Sequence, residues 1–160
     1  MIKILKLNKN DFSTCYDLLS NNYDDLIYFK ALGWTDQQFK KQFFKNIFYG
    51  QGLYINEKLA GFIFGDIIKY KNVIDYEILL IYISKEKRKL GYATKLNKKV
   101  QLNLKKKNLN KIYLEVAMNN KKAINFYLKN GYKKSGTRKK YYNFYTYKVD
   151  AYLFEKIADE

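Results

Sequence analysis

Two hydrophobic periods alternate along this chain, and together they lay out a mixed set of strands and helices. Ile2, Ile4, Leu5 and Leu7 predict a short first strand. A helical stretch opens at Asp11 and runs through Leu18 and Leu19. Asn21-Asn22 breaks it, and a second short helix is expected over Leu26–Leu32. Gly33-Trp34-Thr35 interrupts the pattern again. Thr35 with Gln38 three residues on reads as a capping box, opening a helix that extends to about Phe48. Strands at Gly52–Ile55 and Leu59–Ile68 flank a tight turn at Asn56-Glu57. The next strand, Asp75–Ser84, is almost continuously apolar from Ile78 to Ile83. Such a run implies burial on both faces and a central place in the sheet.

In the second half, Ala93, Leu96, Val100 and Leu104 fall at helical spacing, opposite a lysine-rich face, and the helix ends near Lys107-Asn108. A strand Lys111–Ala117 follows. A short helix from about Asn120 to Lys129 carries Ala123, Ile124 and Tyr127 on one face, and Gly131 supplies a left-handed stop. Strands Tyr132–Arg138 and Phe144–Phe154 flank the aromatic segment Tyr141-Tyr142-Asn143. The order β-α-α-α-β-β-β-α-β-α-β-β reads as an α/β fold. A length of 160 residues fits one domain, 1–160, with a core that needs no staples.

Composition narrows the chemistry. The chain has no His and one Cys. That excludes a Ser-His-Asp triad, His-ligated zinc, an internal disulfide and a thiolate metal cage, so no metal is expected. Cys15, between Phe12 and Leu18, reads as a buried structural thiol. The N-terminal Met1-Ile2-Lys3-Ile4 lacks a signal-peptide core and no 18-residue apolar run exists, so the expectation is a cytoplasmic protein without a membrane partner. The formal charge is +16, from 31 Lys+Arg and 15 Asp+Glu. Lysine outnumbers arginine overwhelmingly, and with abundant Asn, Ile, Tyr and Phe this matches an AT-rich coding bias. Bias alone spreads charge evenly, yet residues 85–140 hold 19 Lys+Arg against 2 Asp+Glu, while the remainder holds 12 against 13. A polyanionic ligand on that segment follows.

Two motifs lie inside it. The first is Arg88-Lys89-Leu90-Gly91-Tyr92-Ala93, between the central strand and the long helix. A turn there aims backbone N–H groups and the positive helix end at one spot, glycine lets a phosphate approach closely, and Arg88 adds a charged donor. The second is Tyr113-Leu114-Glu115-Val116-Ala117-Met118-Asn119-Asn120-Lys121-Lys122-Ala123-Ile124-Asn125-Phe126-Tyr127, with Gly131-Tyr132 after it. Together they resemble the GNAT acetyltransferases, and most of all the RimI-like ribosomal-protein alanine N-acetyltransferases and related protein N-terminal acetyltransferases. Arg138-Lys139-Lys140-Tyr141-Tyr142, Val149-Asp150-Ala151-Tyr152-Leu153 and Gly33-Trp34-Thr35-Asp36 extend the resemblance over about residues 30–155.

The resemblance implies a mixed, mostly antiparallel central sheet flanked by helices, and an acetyl-CoA-dependent enzyme. By the same resemblance, backbone at Ile81, Tyr82 and Ile83 pairs with the pantetheine arm. Arg88, Lys89, Leu90, Gly91, Tyr92, Ala93 and Thr94 hold the pyrophosphate, and Asn120 binds the pantetheine arm. Glu115 is then the general base and Tyr127 the general acid, and Trp34, Tyr141 and Tyr142 border the acceptor. Glu77, on the preceding strand, is a rival base or relay partner. The expected acceptor is a protein or peptide N-terminal α-amine, with a ribosomal protein as one candidate. An α-amine has a pKa of about 7.7–8.0, so a carboxylate suffices to take its proton near neutrality. No motif surrounds Cys15, which favours direct attack over an acyl-cysteine. Two other readings stay open: the same fold acting on a small amine, polyamine or lysine side chain, and a basic RNA- or ribosome-binding module without catalysis. Nucleic acid is the less favoured partner, because no dedicated RNA motif accompanies the charge.

Overall fold

The computed structural model describes residues 1–158. Seven strands form one sheet in the order β1-β2-β3-β4-β5-β7-β6. They are β1 (Ile2–Lys6), β2 (Phe48–Ile55), β3 (Lys58–Tyr70), β4 (Val73–Ile83), β5 (Leu109–Ala117), β6 (Lys133–Phe144) and β7 (Tyr147–Ile157). The helices are α1 (Phe12–Ser20), α2 (Tyr23–Ala31), α3 (Asp36–Phe43), α4 (Tyr92–Lys105) and α5 (Lys121–Lys129). Neighbouring strands run antiparallel except β4 and β5, which are parallel. A parallel pair needs a crossover, and α4 provides it. This is the mostly antiparallel α/β architecture expected from the sequence, with the nearly all-apolar β4 in the middle of the sheet.

Two apolar layers cover the sheet. On one face Leu96, Val100 and Leu104 of α4 and Tyr127 of α5 pack against Tyr76, Ile78, Ile112, Leu114 and Phe154. On the other, Cys15 and Leu19 of α1 and Phe39 and Phe43 of α3 pack against Phe62, Phe64, Leu80 and Tyr82. Cys15 is fully buried there, and burial pushes its thiol pKa far up, which disfavours the reactive thiolate. Among the described residues no helix is long and apolar enough to cross a membrane.

The phase of β4 changes within the strand. Phe64 faces Leu80 and Gly65 faces Ile78, so Leu79 is an extra, bulged residue. Before the bulge Ile74, Tyr76 and Ile78 join the α4 layer, whereas beyond it Leu80 and Tyr82 join the α1–α3 layer. Gly65 permits this: a Cβ there would lie 1.8 Å from the Glu77 carbonyl oxygen.

Several boundaries differ from the sequence expectation, among them Phe144, which ends β6 rather than opening the last strand. The helix opened by Thr35, whose Oγ1 accepts from the Gln38 N–H at 3.3 Å, ends at Phe43 rather than near Phe48. Phe48 starts β2 instead, with its ring 4.4 Å from that of Phe43. Both rings enter one cluster, so apolar residues continue across the change of element. Strands β4 and β5 each begin two residues earlier than expected, at Val73 and Leu109. Tyr141-Tyr142-Asn143 lies inside β6 rather than in a connection. A bulge between Arg138 and Tyr142 absorbs the irregularity, with Lys140 at φ +52 and its N–H donating to Asp150 Oδ1 at 2.8 Å.

Gly65→Ala is expected to destabilise the protein by about 3 kcal/mol, the upper end for an overpacked interior. Chemical denaturation measures it; an unchanged midpoint would show that β3 and β4 do not approach this closely at the bulge.

Candidate active site

Pairing between β4 and β5 runs from Ile74↔Leu109 to Ile78↔Leu114 and stops. Beyond it β4 continues to Ile83 and β5 to Ala117. The β5-facing edge of Leu79–Ile83, including the predicted Ile81, Tyr82 and Ile83, has no partner strand among the described residues. Backbone N–H and C=O groups in mid-sheet are normally paired, so this split is an open slot for hydrogen bonding.

The chain turns from β4 into α4 at one end of the slot. Lys89 (φ +62) and Gly91 (φ +80) are both left-handed, and Gly91 is the N-cap of α4 without a side-chain cap. The N–H groups of Tyr92, Ala93 and Thr94 therefore lack helical acceptors and sit at the positive end of the helix dipole. A Cβ on Gly91 would meet nothing within 4 Å, so the turn faces open space. Leu90 is exposed beside it. Arg88 is held from behind: Nε donates to the Ile83 carbonyl at 2.9 Å, and Nη2 pairs with Asp25 on α2. Three of its five N–H donors remain free of these two bonds. At the β5 end, Asn120 Oδ1 accepts from the Ala123 N–H at 3.2 Å and caps α5, while Nδ2 donates to Tyr28 Oη at 3.1 Å.

A cleft of about 490 Å³ lies beside the split, lined by Glu77, Ile78 and Leu79 of β4, Glu115 of β5 and Tyr141, Tyr142 and Asn143 of β6. Its remaining wall is Ala31–Trp34, the end of α2 and the turn after it. Trp34 is fixed by edge contacts with Phe39 and Phe64, at 5.7 and 5.4 Å between centroids. Glu77 is in register with Tyr113, and Glu115 stands two residues further along β5, so the two carboxylates are diagonal neighbours on one face. Glu115 Oε1 pairs with Arg138 Nε at 3.0 Å, and the same guanidinium lies 5.3 Å from the Tyr141 ring. Burial, the Glu115 charge and then Asp66 raise the Glu77 pKa above the ordinary carboxylate range, with Lys45 and Arg138 opposing.

The five residues predicted to serve the acceptor and the base, Trp34, Glu77, Glu115, Tyr141 and Tyr142, thus come together in one cleft. Those predicted for the cofactor surround the split. Tyr127 is not part of the cleft lining; it is 5% exposed, in edge contact with Tyr132 at 5.3 Å. Burial raises its pKa, with Tyr132 and the cleft residue Tyr142 adding to the effect, so it holds its proton firmly. The Schellman turn after α5 fixes its backbone: the Tyr132 N–H donates to the Tyr127 carbonyl at 3.0 Å and the Gly131 N–H to that of Leu128 at 3.1 Å. Sequence reasoning gave no role to Arg138 or Asp25. Asp24-Asp25 after Asn22 reads as an ordinary acidic helix start, and Asn22 does cap α2 by accepting from the Asp25 N–H.

Residues 10–132 match the Acetyltransferase (GNAT) family. No curated protein matches the chain in sequence. Among solved structures it is similar to the ribosomal-protein-S18-alanine N-acetyltransferase from Escherichia coli, with a TM-score of 0.82 and 20% identity over 99% of this chain and 94% of that one. Arabidopsis thaliana NAA60 in complex with acetyl-CoA is similar at a TM-score of 0.80 and 17% identity over the whole of both chains, 100% each. A spermidine N-acetyltransferase SpeG chimera from Vibrio cholerae and hSSAT is similar at 0.76 and 20% identity, over 99% and 96%. At these identities the likeness is one of fold. The chain belongs to the GNAT acetyltransferase family and is an acetyl-CoA-dependent enzyme.

Coenzyme A is expected to stabilise the folded protein by about 2.7 kcal/mol at a concentration 100 times its Kd. A thermal melt reads this as a rise in Tm; an unchanged Tm at millimolar coenzyme A would contradict it.

Proposed function

We propose that this acetyltransferase acts on the α-amine of a protein or peptide N-terminus, a ribosomal protein being the first candidate. The observation that carries the reading is the cleft in which Glu77 and Glu115 stand among Trp34, Tyr141 and Tyr142, directly beside the open split. Two carboxylates suit an ammonium group. An α-ammonium, with a pKa of about 7.7–8.0, yields its proton to a carboxylate far more readily than a lysine ammonium at about 10.4. The flat aromatic walls suit the first residues of a peptide, and the fold is shared with an S18-alanine N-acetyltransferase.

The residues present fit acetyl-CoA. The unpaired edge of Leu79–Ile83 offers backbone partners to an extended, amide-bearing arm, in the manner of an added strand. The uncapped N–H groups of Tyr92–Thr94, the remaining Arg88 donors and nearby Lys85, Lys87 and Lys89 suit the phosphates. Asn120 is the polar group where β5 leaves the split. When bound, acetyl-CoA supplies the acetyl group as a thioester.

Glu115, paired with Arg138, anchors and orients the acceptor amine. Glu77, with no ion pair among the described residues and a raised pKa, takes the proton that the amine sheds as its nitrogen attacks. This assigns the base to the rival the sequence had left open, and Glu115 to a neighbouring role. Tyr127 holds a proton at Oη for the leaving sulfur. The buried thiol of Cys15 lies in the α1–α3 layer, which supports direct attack.

Three expectations follow. A panel of free N-terminal peptides is turned over, while N-blocked lysine peptides and spermidine are not; preference for spermidine or lysine would overturn the acceptor assignment. Glu77→Gln and Tyr127→Phe each lower kcat by about 10²–10⁴-fold, the range for proton-transfer groups, with much smaller changes in coenzyme A affinity; unchanged turnover removes that residue from the mechanism. Turnover needs ionised Glu77, so it falls as pH drops through that raised pKa. Glu115→Gln removes a neighbouring negative charge and frees Arg138, so the acid limb of the kcat/KM profile moves to lower pH; an upward shift would contradict the assignment.

A further inference from the structure

Helix α2 has no fully buried residue, yet it makes specific contacts with both strands that part at the split. Its side chains fall into two stripes. Asp25 and Phe29, one turn apart, face β4: the Phe29 ring packs edge-on to Tyr82 at 5.9 Å. The Tyr82 hydroxyl donates to Asp25 Oδ2 at 2.7 Å, and Arg88 Nη2 pairs with the same oxygen. Tyr28, Ala31 and Leu32 face the β5–β6 side, where they join a small cluster with Ala117, Phe144 and Val149. The Tyr28 ring lies 5.9 Å from Phe144, and its hydroxyl accepts from Asn120. The helix therefore bridges the gap left when β4 and β5 separate. Its polar bonds fall on Arg88, before α4, and on Asn120, at the start of α5. Its C-terminal end, Ala31–Leu32, is part of the acceptor-cleft wall.

We propose that α2 is a strap across the split, and that Asp25 and Tyr28 are positioning residues through which occupancy of the cofactor slot sets the acceptor wall Ala31–Trp34. This rests on the reading above, which puts the cofactor against Arg88 and Asn120. A nine-residue helix without a fully buried residue is marginal by itself. Its order depends on what it is pinned to. A ligand that fixes Arg88 and Asn120 from the slot side fixes their α2 partners as well, and the end of the helix, one turn beyond Tyr28, follows. Tyr82 adds to the pin: burial and the bond to Asp25 raise its pKa and keep the donated proton in place.

Amide hydrogen exchange tests this on the whole protein, with coenzyme A alone as the probe. In the parent, coenzyme A slows exchange both at Tyr92–Thr94 and across Tyr28–Leu32, the latter by about tenfold or more, as for a locally opening segment that becomes pinned. In Asp25→Asn with Tyr28→Phe, Tyr92–Thr94 stays protected while slowing at Tyr28–Leu32 falls to about threefold or less. The acceptor KM rises about tenfold in the same variant, with kcat changed much less, as expected for lost positioning of a binding wall. Asp25→Glu, which retains the charge for Arg88, restores most of the KM. Protection at Tyr92–Thr94 without any response of α2 in the parent would overturn the strap alone. An equal α2 response in parent and variant would do the same. No protection and no thermal shift with coenzyme A would overturn the cofactor reading and the strap together.

Discussion

The parting of β4 and β5 after Ile78 and Leu114 is the constraint on which the rest of the molecule depends. Opening a sheet in its middle leaves backbone donors and acceptors without partners, which is costly unless something fills the gap. The remainder of the fold keeps the two strands apart without losing either. β3 holds β4 over its whole length, and β7 holds β5 from Lys111 to Ala117. The Leu79 bulge bends β4 where the split begins, and Gly65 lets β3 follow it. Buried apolar side chains of α4 lock the paired half from one side, while α2 spans the open half from the other.

The same opening dictates the electrostatics. Glu77 and Glu115 are neighbours because their strands are still close where pairing ends. Both remain partly buried because Trp34, Tyr141 and Tyr142 cover them. Burial and the neighbouring Glu115 charge raise the Glu77 pKa, while Glu115 itself pairs with Arg138. The basic charge of residues 85–140 is partly tied to the same region, since Arg88 and Arg138 pair with Asp25 and Glu115 on either side of the split.

The chain order of strands and helices, the central place of β4 and the burial of Cys15 were legible from periodicity and composition. The end of α3 was not, because Phe48 joins the same apolar cluster as Phe39 and Phe43 while belonging to a strand. The bulge at Leu79 was hidden for a related reason: in an uninterrupted apolar run, a change of phase alters no residue type. Five side chains of the cleft were named from motifs, yet their grouping depends on strand register that local sequence does not encode. Asp25 was invisible because an acidic residue in a first helical turn already has a local explanation. Its bonds to Tyr82 and Arg88 span 57 and 63 residues of chain.

A crystal structure with coenzyme A bound is the most direct test of the central claim, that the split is a slot built for an extended cofactor. The account predicts main-chain hydrogen bonds between the pantetheine arm and the free edge of Leu79–Ile83, the pyrophosphate on the N–H groups of Tyr92–Thr94, and the sulfur facing the cleft of Glu77 and Glu115. Coenzyme A bound elsewhere, or β4 and β5 paired through to Ile83, would contradict it.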